Sequence, residues 1–434
     1  MSPALQILFV APYAPSPIRV RPYQLLRHLV RRGHSVSLVC AASPKDANTL
    51  EQLRSLCARV VVVPLGAGDR AKAYLRALAT ELPLQAAHCL SPAFVEAVRA
   101  ELGRARYDLV HIEHLRGAEV ARAAAAALPA PPPLLLDAVD SISLLFERTA
   151  RLSPSARARA LALLDLARTR RYEAAYTRRF DHITITSPED RWALETLRSQ
   201  YAEQPATPIS VVPNGVDLDY FAPGDGTDDA ETVIFSGKMS YHANEAAALF
   251  LLQEIMPLIW RERPTARAVI AGAQPGPAIR RHGDHPQVTI TGFVPDLRPY
   301  LRSAAVAVAP IRYGVGVQNK VLEAMAMALP TVAARQATVA LGARHGEEVL
   351  VAESAAEFAA ALLRLLSRPG ERAALGGAGR KYVERAHSWE ASAAHLEGCY
   401  EAARERAASR AKRIVSLHDP GFTTVLGRSD ILPV

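Results

Sequence analysis

The sequence predicts an α/β protein of two domains, each built on a doubly wound parallel sheet. Two observations carry this reading. Short apolar runs rich in Val, Ile and Leu alternate with helical stretches from residue 6 to residue 214. A Gly/Asp-rich stretch, PGDGTDDA (223–230), follows, and the alternation then begins again. A length of 434 residues, half of them hydrophobic, suits two such domains at ~100–200 residues each.

Gln6–Ala11 (QILFVA) stops at Pro12 and reads as the first buried strand. PYQLLRHLVRRG (22–33) has a helical period and closes on Gly33, with basic residues in its last turn. HSVSLVCA (34–41), RVVVVPL (59–65), YDLVHIEH (107–114), PLLLDAVD (133–140), HITITS (182–187) and ISVVPN (209–214) supply further strands. Asp140 stands where the next helix opens, and is expected as its N-cap or as an acceptor-binding group. The second series runs ETVIFSG (231–237), a helix EAAALFLLQEIMPLIWRE (245–262), then strands RAVIAGA (267–273), QVTITGF (287–293) and AVAVAPI (305–311). The helix VLEAMAMAL (321–329) and the strand PTVAA (330–334) follow. Further helices lead to a long one from about Trp389 to Arg413. The expected division is 1–212, 213–388, a helix 389–413 returning to the first domain, and a segment 414–434 with no clear period. Residues 154–180 form a long helix bearing seven arginines. Solvated arginines explain it simply; a basic surface for anionic lipid or a phosphorylated acceptor is the functional alternative.

Lys and Arg number 51 against 43 Asp and Glu. No basic run interleaved with aromatics occurs, so nucleic acid is not an expected partner. The excess suits phosphorylated ligands or an anionic membrane surface. Cys40, Cys57, Cys89 and Cys399 form no CxxC pair, which argues against zinc or a disulfide framework. The N-terminus lacks the basic and apolar regions of a signal peptide, and no run of ~18 apolar residues could span a membrane. A cytoplasmic protein, in contact at most with the inner membrane face, is expected.

Three stretches carry a family resemblance. SVVPNGVDLDYFAP (210–223), VIFSGKMSYHANEAA (233–247) and VLEAMAMALPTV (321–332) resemble the inter-domain signature, donor loop and donor-binding helix of the family 4 glycosyltransferases. TGFVPDLRPYLRSAAVAVAP (291–310) fits the same pattern. The likeness spans nearly all of residues 5–405, is tighter in the second half, and is closest to bacterial sugar transferases of polysaccharide and exopolysaccharide clusters. It implies the GT-B fold: two Rossmann-like domains facing across a cleft, with a C-terminal helix crossing back. It also implies a retaining transferase with a nucleotide-diphosphate sugar as co-substrate, a glycan or lipid-linked acceptor, and no metal or other cofactor.

The resemblance assigns roles residue by residue. Glu323 matches the carboxylate that accepts hydrogen bonds from the ribose, which suits its two acceptor oxygens. The family's other glutamate, eight positions earlier, is replaced by Val315. Gly237 and Lys238 match the donor loop, with Lys238 on the diphosphate, where a cation stabilises the leaving group. A second family cation falls on Ala243; Lys320 stands nearby in place of a frequent proline and is expected to replace it. Gly314, Gly316 and the amides of Asn319, Lys320 and Val321 would seat phosphate at a helix N-terminus. Arg312 and Asn244 are further candidates there. Phe293 and Val294, after Gly292, would line the base.

In the first domain the loop PYAPSPIRVRP (12–22) lacks the family's paired glycines and offers Arg19 and Arg21 for an anionic acceptor or phosphate. LVHIEHLRG (109–117) replaces the family's HxH, leaving Glu113, His111 and His114 as catalytic candidates. Asn214, Gly215 and Trp389 read as the hinge. Two other classes are weighed: a nucleotide-sugar 2-epimerase or hydrolase of the same fold, and a non-catalytic nucleotide-sugar-binding homologue. A nicotinamide dehydrogenase is poorly supported, since no GxGxxG follows the first strand.

Overall fold

The computed structural model describes residues 3–17, 19–153, 155–175, 179–201, 207–224, 229–313 and 317–417, and for Pro44, Tyr201 and 411–417 the backbone alone. Gly314, Val315, Gly316 and positions 418–434 therefore lie outside the described residues. Two parallel sheets form the frame. The first contains β1 (Gln6–Ala11), β2 (Ser35–Ala42), β3 (Arg59–Pro64), β4 (Leu109–Glu113), β5 (Leu134–Val139), β6 (His182–Ile185) and β7 (Ile209–Val211), in the order β3-β2-β1-β4-β5-β6-β7. The second contains β8 (Asp229–Ser236), β9 (Arg267–Ala271), β10 (Val288–Gly292), β11 (Ala304–Ala309), β12 (Thr331–Ala333) and β13 (Leu350–Val351), in the order β10-β9-β8-β11-β12-β13. Only β13 among these strands has no counterpart in the sequence reading: two residues are too short to show a period.

Both faces of each sheet are covered, which explains why the strands read as continuous apolar runs instead of alternating ones. Leu8, Val10, Val110, Ile112 and Leu136 pack with Phe94, Leu115 and Tyr172 on one face of the first sheet. Ile7, Phe9, Leu38 and Leu135 pack with Leu25, Leu26, Trp389, Leu396 and Tyr400 on the other. The helix Trp389–Leu417 thus belongs to the core of the first sheet although it follows the second in sequence. Arg32 clamps Glu397 of this helix at 2.6 and 2.8 Å, and His34 adds 2.8 Å.

Two chain segments cross between the sheets side by side. Val216 bridges Ser388, His387 Nδ1 faces Asn214 O at 3.0 Å, and Ser392 Oγ donates to Pro213 O at 2.9 Å. A Cβ on Gly215 would collide with the backbone of Ser388 and Trp389, so glycine is what permits this close approach.

The order of strands reverses between β1 and β4 in the first sheet and between β8 and β11 in the second. In open α/β sheets the crevice beyond the carboxyl ends at such a switch point is where ligands sit. No helix among the described residues is long and apolar enough to cross a membrane.

Candidate active site

The second domain builds its half of the site around Lys320. Its ammonium donates to Asn244 Oδ1 at 3.1 Å and to Gln318 Oε1 at 3.2 Å, and lies 5.8 Å from the Phe235 ring centre. Burial lowers its pKa to about 8, against the opposing pull of Glu323 one turn along the helix Asn319–Ala326. Glu323 is raised by the same loss of water, and Lys320 offsets it.

Asn244 joins this helix to the donor loop. Its Oδ1 accepts from the Lys320 ammonium while its Nδ2 donates to Lys238 O at 2.9 Å. Gly237 makes room for both: at φ +149°, a Cβ there would meet Asn244 Nδ2 at 2.9 Å and Lys320 Cε at 3.1 Å. Gly272, at φ +147°, lies so close beneath that a Cβ would collide with Gly237 O. Lys238 itself is exposed and forms no ion pair among the described residues. The structure therefore brings Gly237 and Lys238 of the loop after β8, Asn244 of the helix His242–Phe250, and Lys320 and Glu323 of the helix after β11 together.

Other residues of this half sort differently. Val321 N–H donates to Gln318 O at 2.9 Å, so this amide is already used; the turn that starts the helix consumes it. The Asn319 side chain accepts from Asn214 Nδ2 at 3.2 Å across the domains. The amides of Asn319 and Lys320 have no acceptor among the described residues, and no side chain caps this helix. Arg312 is exposed, with its guanidinium 5.1 Å from the Phe250 ring centre. Phe293 is an exposed aromatic after β10 and not a core residue; Val294 beside it is half-buried. Gly316 and Val315 lie outside the described residues.

The first domain corrects several expectations. Arg21 is not a loop cation: it sits buried in the helix Val20–Arg31. Its guanidinium donates to both Asp137 oxygens at 2.8 and 3.0 Å, and to Val212 O and Asn214 Oδ1 at 3.0 and 2.9 Å. These bonds occupy the fork that an anion would need. Arg19 keeps an exposed position, 4.8 Å from the Tyr13 ring centre, and donates to Ala14 O.

His111 and Glu113 point into the protein and not into the cleft. Alternation along β4 puts both on the face covered by Tyr400. His111 stacks on Phe9 at 4.1 Å and meets Tyr400 OH at 2.9 Å. Glu113 accepts from Tyr13 OH at 3.1 Å. Both are fully buried, so neither can touch a ligand in this arrangement. His111 Nε2 lies 4.0 Å from Glu113 Oε2 and 3.9 Å from Asp137 Oδ2, and neither His111 Nε2 nor Glu113 Oε2 has a hydrogen-bond partner among the described residues. The three could converge on a metal ion by distance alone. Asp137 already holds Arg21, however, and a cation would have to share that carboxylate with a guanidinium. Burial, then Asp137, raises Glu113, while burial lowers His111 to about 4. A carboxylic acid beside a neutral imidazole fits this charge-poor interior better than a metal.

His114 and Asp140 remain at the cleft. His114 is half-buried at φ +60°, and its Nδ1 accepts from Arg116 N–H at 3.2 Å. This bond places the ring proton on Nε2. Burial, followed by Arg116, lowers its pKa to about 3. Asp140 is not the helix cap. Ser141 caps the helix Ile142–Leu152, accepting from Leu144 N–H. Asp140 instead leaves the strand through a γ-turn at Val139, where φ is +68° and Asp140 N–H donates to Ala138 O at 2.9 Å. It accepts from Thr186 Oγ1 at 3.2 Å, and burial followed by Asp190 raises its pKa. Two strained non-glycine residues thus end the neighbouring strands β4 and β5. Such strain clusters at functional sites, and sequence periodicity gives no sign of it.

Sequence reasoning also missed the interdomain contact. Tyr313 OH reaches Ser153 Oγ at 3.4 Å and His242 Nδ1 at 3.0 Å, and stacks on His242. It joins the loop after β11 to the end of the helix Ile142–Leu152. A lone tyrosine in a loop carries no pairing signal.

Comparison with known proteins agrees with this layout. A profile described as Glycosyltransferase Family 4 matches residues 19–220, and one described as Glycosyl transferases group 1 matches residues 230–368. A D-inositol 3-phosphate glycosyltransferase from Geodermatophilus obscurus is 29% identical over 246 residues, covering 50% of this chain and 52% of that protein. The chain spans about half the length of the curated relatives it matches. Among solved structures, a sucrose-phosphate synthase from Thermosynechococcus elongatus superposes with a TM-score of 0.68 at 19% identity, covering 92% of this chain and 98% of that one. HepE from Anabaena, in complex with UDP, gives 0.62 at 14%, covering 91% and 99%. The fold is GT-B, and the two profiles, end to end over both domains, show that the chain belongs to the family 4 glycosyltransferases.

Proposed function

We propose that the protein transfers a sugar from a nucleotide-diphosphate sugar to a hydroxyl of a glycan or lipid-linked acceptor, with retention and without a metal. The observation that carries this is the Lys320 cluster. A partly desolvated ammonium stands at the carboxyl end of the second sheet's switch point, one helical turn from a partly desolvated carboxylate. A cation and a two-oxygen acceptor at that spacing match a diphosphate and the ribose it is attached to. Lys238 and the amides of Asn319 and Lys320 would add positive ends to the same anion. UDP is the first donor base to try, since HepE was solved with it.

In this reading Lys320 and Lys238 neutralise charge growing on the leaving diphosphate, and Glu323 fixes the nucleotide. The acceptor enters from the first domain, where the His114 Nε2–H and the Asp140 carboxylate hold its hydroxyls. Arg19 stands by for an anionic acceptor. Glu113, His111 and Arg21 shape the floor from behind.

Calorimetry with UDP and uridine tests the reading. UDP should bind at least tenfold more tightly than uridine to the parent protein, since charge-assisted bonds contribute roughly 1.5–3 kcal/mol. The difference should shrink in K320M. Failure of every nucleoside diphosphate to bind, across uracil, guanine and adenine, would reject it.

A further inference from the structure

The helix Ala156–Ala174 is inverted relative to an ordinary amphipathic helix. Its buried side carries Ala162, Asp165, Thr169, Tyr172 and Glu173. These polar groups are used: Asp165 Oδ2 accepts from Leu84 N–H at 2.9 Å, and Tyr172 OH donates to Glu119 at 2.6 Å. Glu173 accepts the Ile142 and Ser143 amides at 2.6 and 3.2 Å. Its outer side carries Leu161, Leu163 and Leu164, which are 56%, 61% and 60% exposed. Leu152, at the end of the helix packed against it, is 55% exposed, and Trp192, on the neighbouring helix Pro188–Tyr201, is 67% exposed. Among the described residues, five of the eleven exposed large apolar ones therefore fall on this one group of helices.

Charge frames the apolar strip. Positions 157, 160, 161, 164, 168 and 171 follow helical spacing along the outer side and read Arg, Ala, Leu, Leu, Arg, Arg. The helix's only acids, Asp165 and Glu173, are the buried ones. The nearby acids Glu81, Glu147, Glu189 and Glu195 each pair with an arginine of this group, Glu81 with Arg171 itself, which leaves Arg157 and Arg168 as the strip's arginines without an ion pair among the described residues. Leucines flanked by arginines, with an exposed tryptophan beside them, are complementary to an anionic lipid interface: acyl chains take the leucines and headgroups take the guanidinium groups. The strip also adjoins the cleft. Leu152 precedes Ser153, whose hydroxyl meets Tyr313 of the second domain.

From this arrangement we infer that the outer face of Ala156–Ala174, with Leu152 and Trp192, docks the protein on an anionic membrane surface beside the mouth of the cleft. The inference rests on this surface and not on the sugar-transfer reading, although it would bring a lipid-carried acceptor to the site.

Flotation of the full chain with vesicles of phosphatidylcholine, alone or with phosphatidylglycerol added to roughly 30%, tests it. Binding is expected to the mixed vesicles, to fall with salt, and to drop about tenfold or more in L161E/L164E and again in R157E. All three positions are exposed, so these variants keep the fold, and circular dichroism checks this. Equal binding of L161E/L164E, or no binding of the parent chain, overturns the inference. So does a parent dimer that L161E/L164E converts to monomer in light scattering, because a second copy would then be the occupant. No sugar donor enters the assay, so its result is separate from that of the UDP titration.

Discussion

A lysine held out of water between Asn244 and Gln318 has its pKa lowered to about 8 by burial, and this sets a pH signature for the site. Because the free ammonium has a pKa of about 8, it is charged below that value and lost above it. A bound diphosphate stabilises the charged form, so affinity for UDP should be full below pH 8 and fall as pH rises beyond it. Calorimetry between pH 7 and pH 10 should show this fall in the parent and not in K320R, whose guanidinium stays charged. The sign for stability is the reverse. Between pH 8 and the unfolded-state value of 10.5 the unfolded chain binds more protons at this position, so its contribution to stability rises with pH. Asp140 carries a separate expectation. D140N should lower sugar transfer while leaving UDP affinity unchanged; an equal loss of both would place Asp140 with the donor.

The element that carries Glu323 ends in an unusual way. The helix Asn319–Ala326 closes with Ala328 N–H on Met325 O and Leu329 N–H on Ala324 O, both at 3.0 Å. These are the two bonds of a Schellman motif, and Ala328 occupies its left-handed position at φ +55°. Glycine is the residue for such a position, so A328G should stabilise the protein by about 0.5–1 kcal/mol in denaturant unfolding. Gly376 lies against the same turn, and a Cβ there would collide with Ala328 O. G376A should therefore destabilise the protein, and an unchanged unfolding midpoint would show that the two helices shift apart freely. At this scale the sequence was clear about the helix itself, since LEAMAMAL has its period. It was silent about the cap, because alanine at a left-handed position looks like any other alanine.

Across the whole molecule one polar chain ties the parts together. Asp137 on β5 holds Arg21, Arg21 holds Asn214 at the crossing, and Asn214 donates to Asn319 at the start of the donor helix. R21A would leave the Asp137 carboxylate buried without its partner, at a cost of about 3–5 kcal/mol. A large fall in thermal midpoint is expected, and a small one would mean that His111 or Glu113 takes over the charge. The pattern of apolar runs determined both sheets and their parallel character, because strands buried on two faces must be continuously apolar. The family resemblance of the donor loop and donor helix likewise named Lys238, Lys320 and Glu323 as candidates, and the structure links that loop to that helix through Asn244. Tertiary structure alone decided which candidates face the cleft. His111 depends on Phe9 and Tyr400, 102 and 289 positions away, Glu113 on Tyr13, 100 positions away, and Arg21 on Asp137, 116 positions away. It also turned the arginine-rich helix inside out, burying Asp165 and Glu173 and leaving leucines outside. Burial belongs to the packing of distant segments, and no local period encodes it.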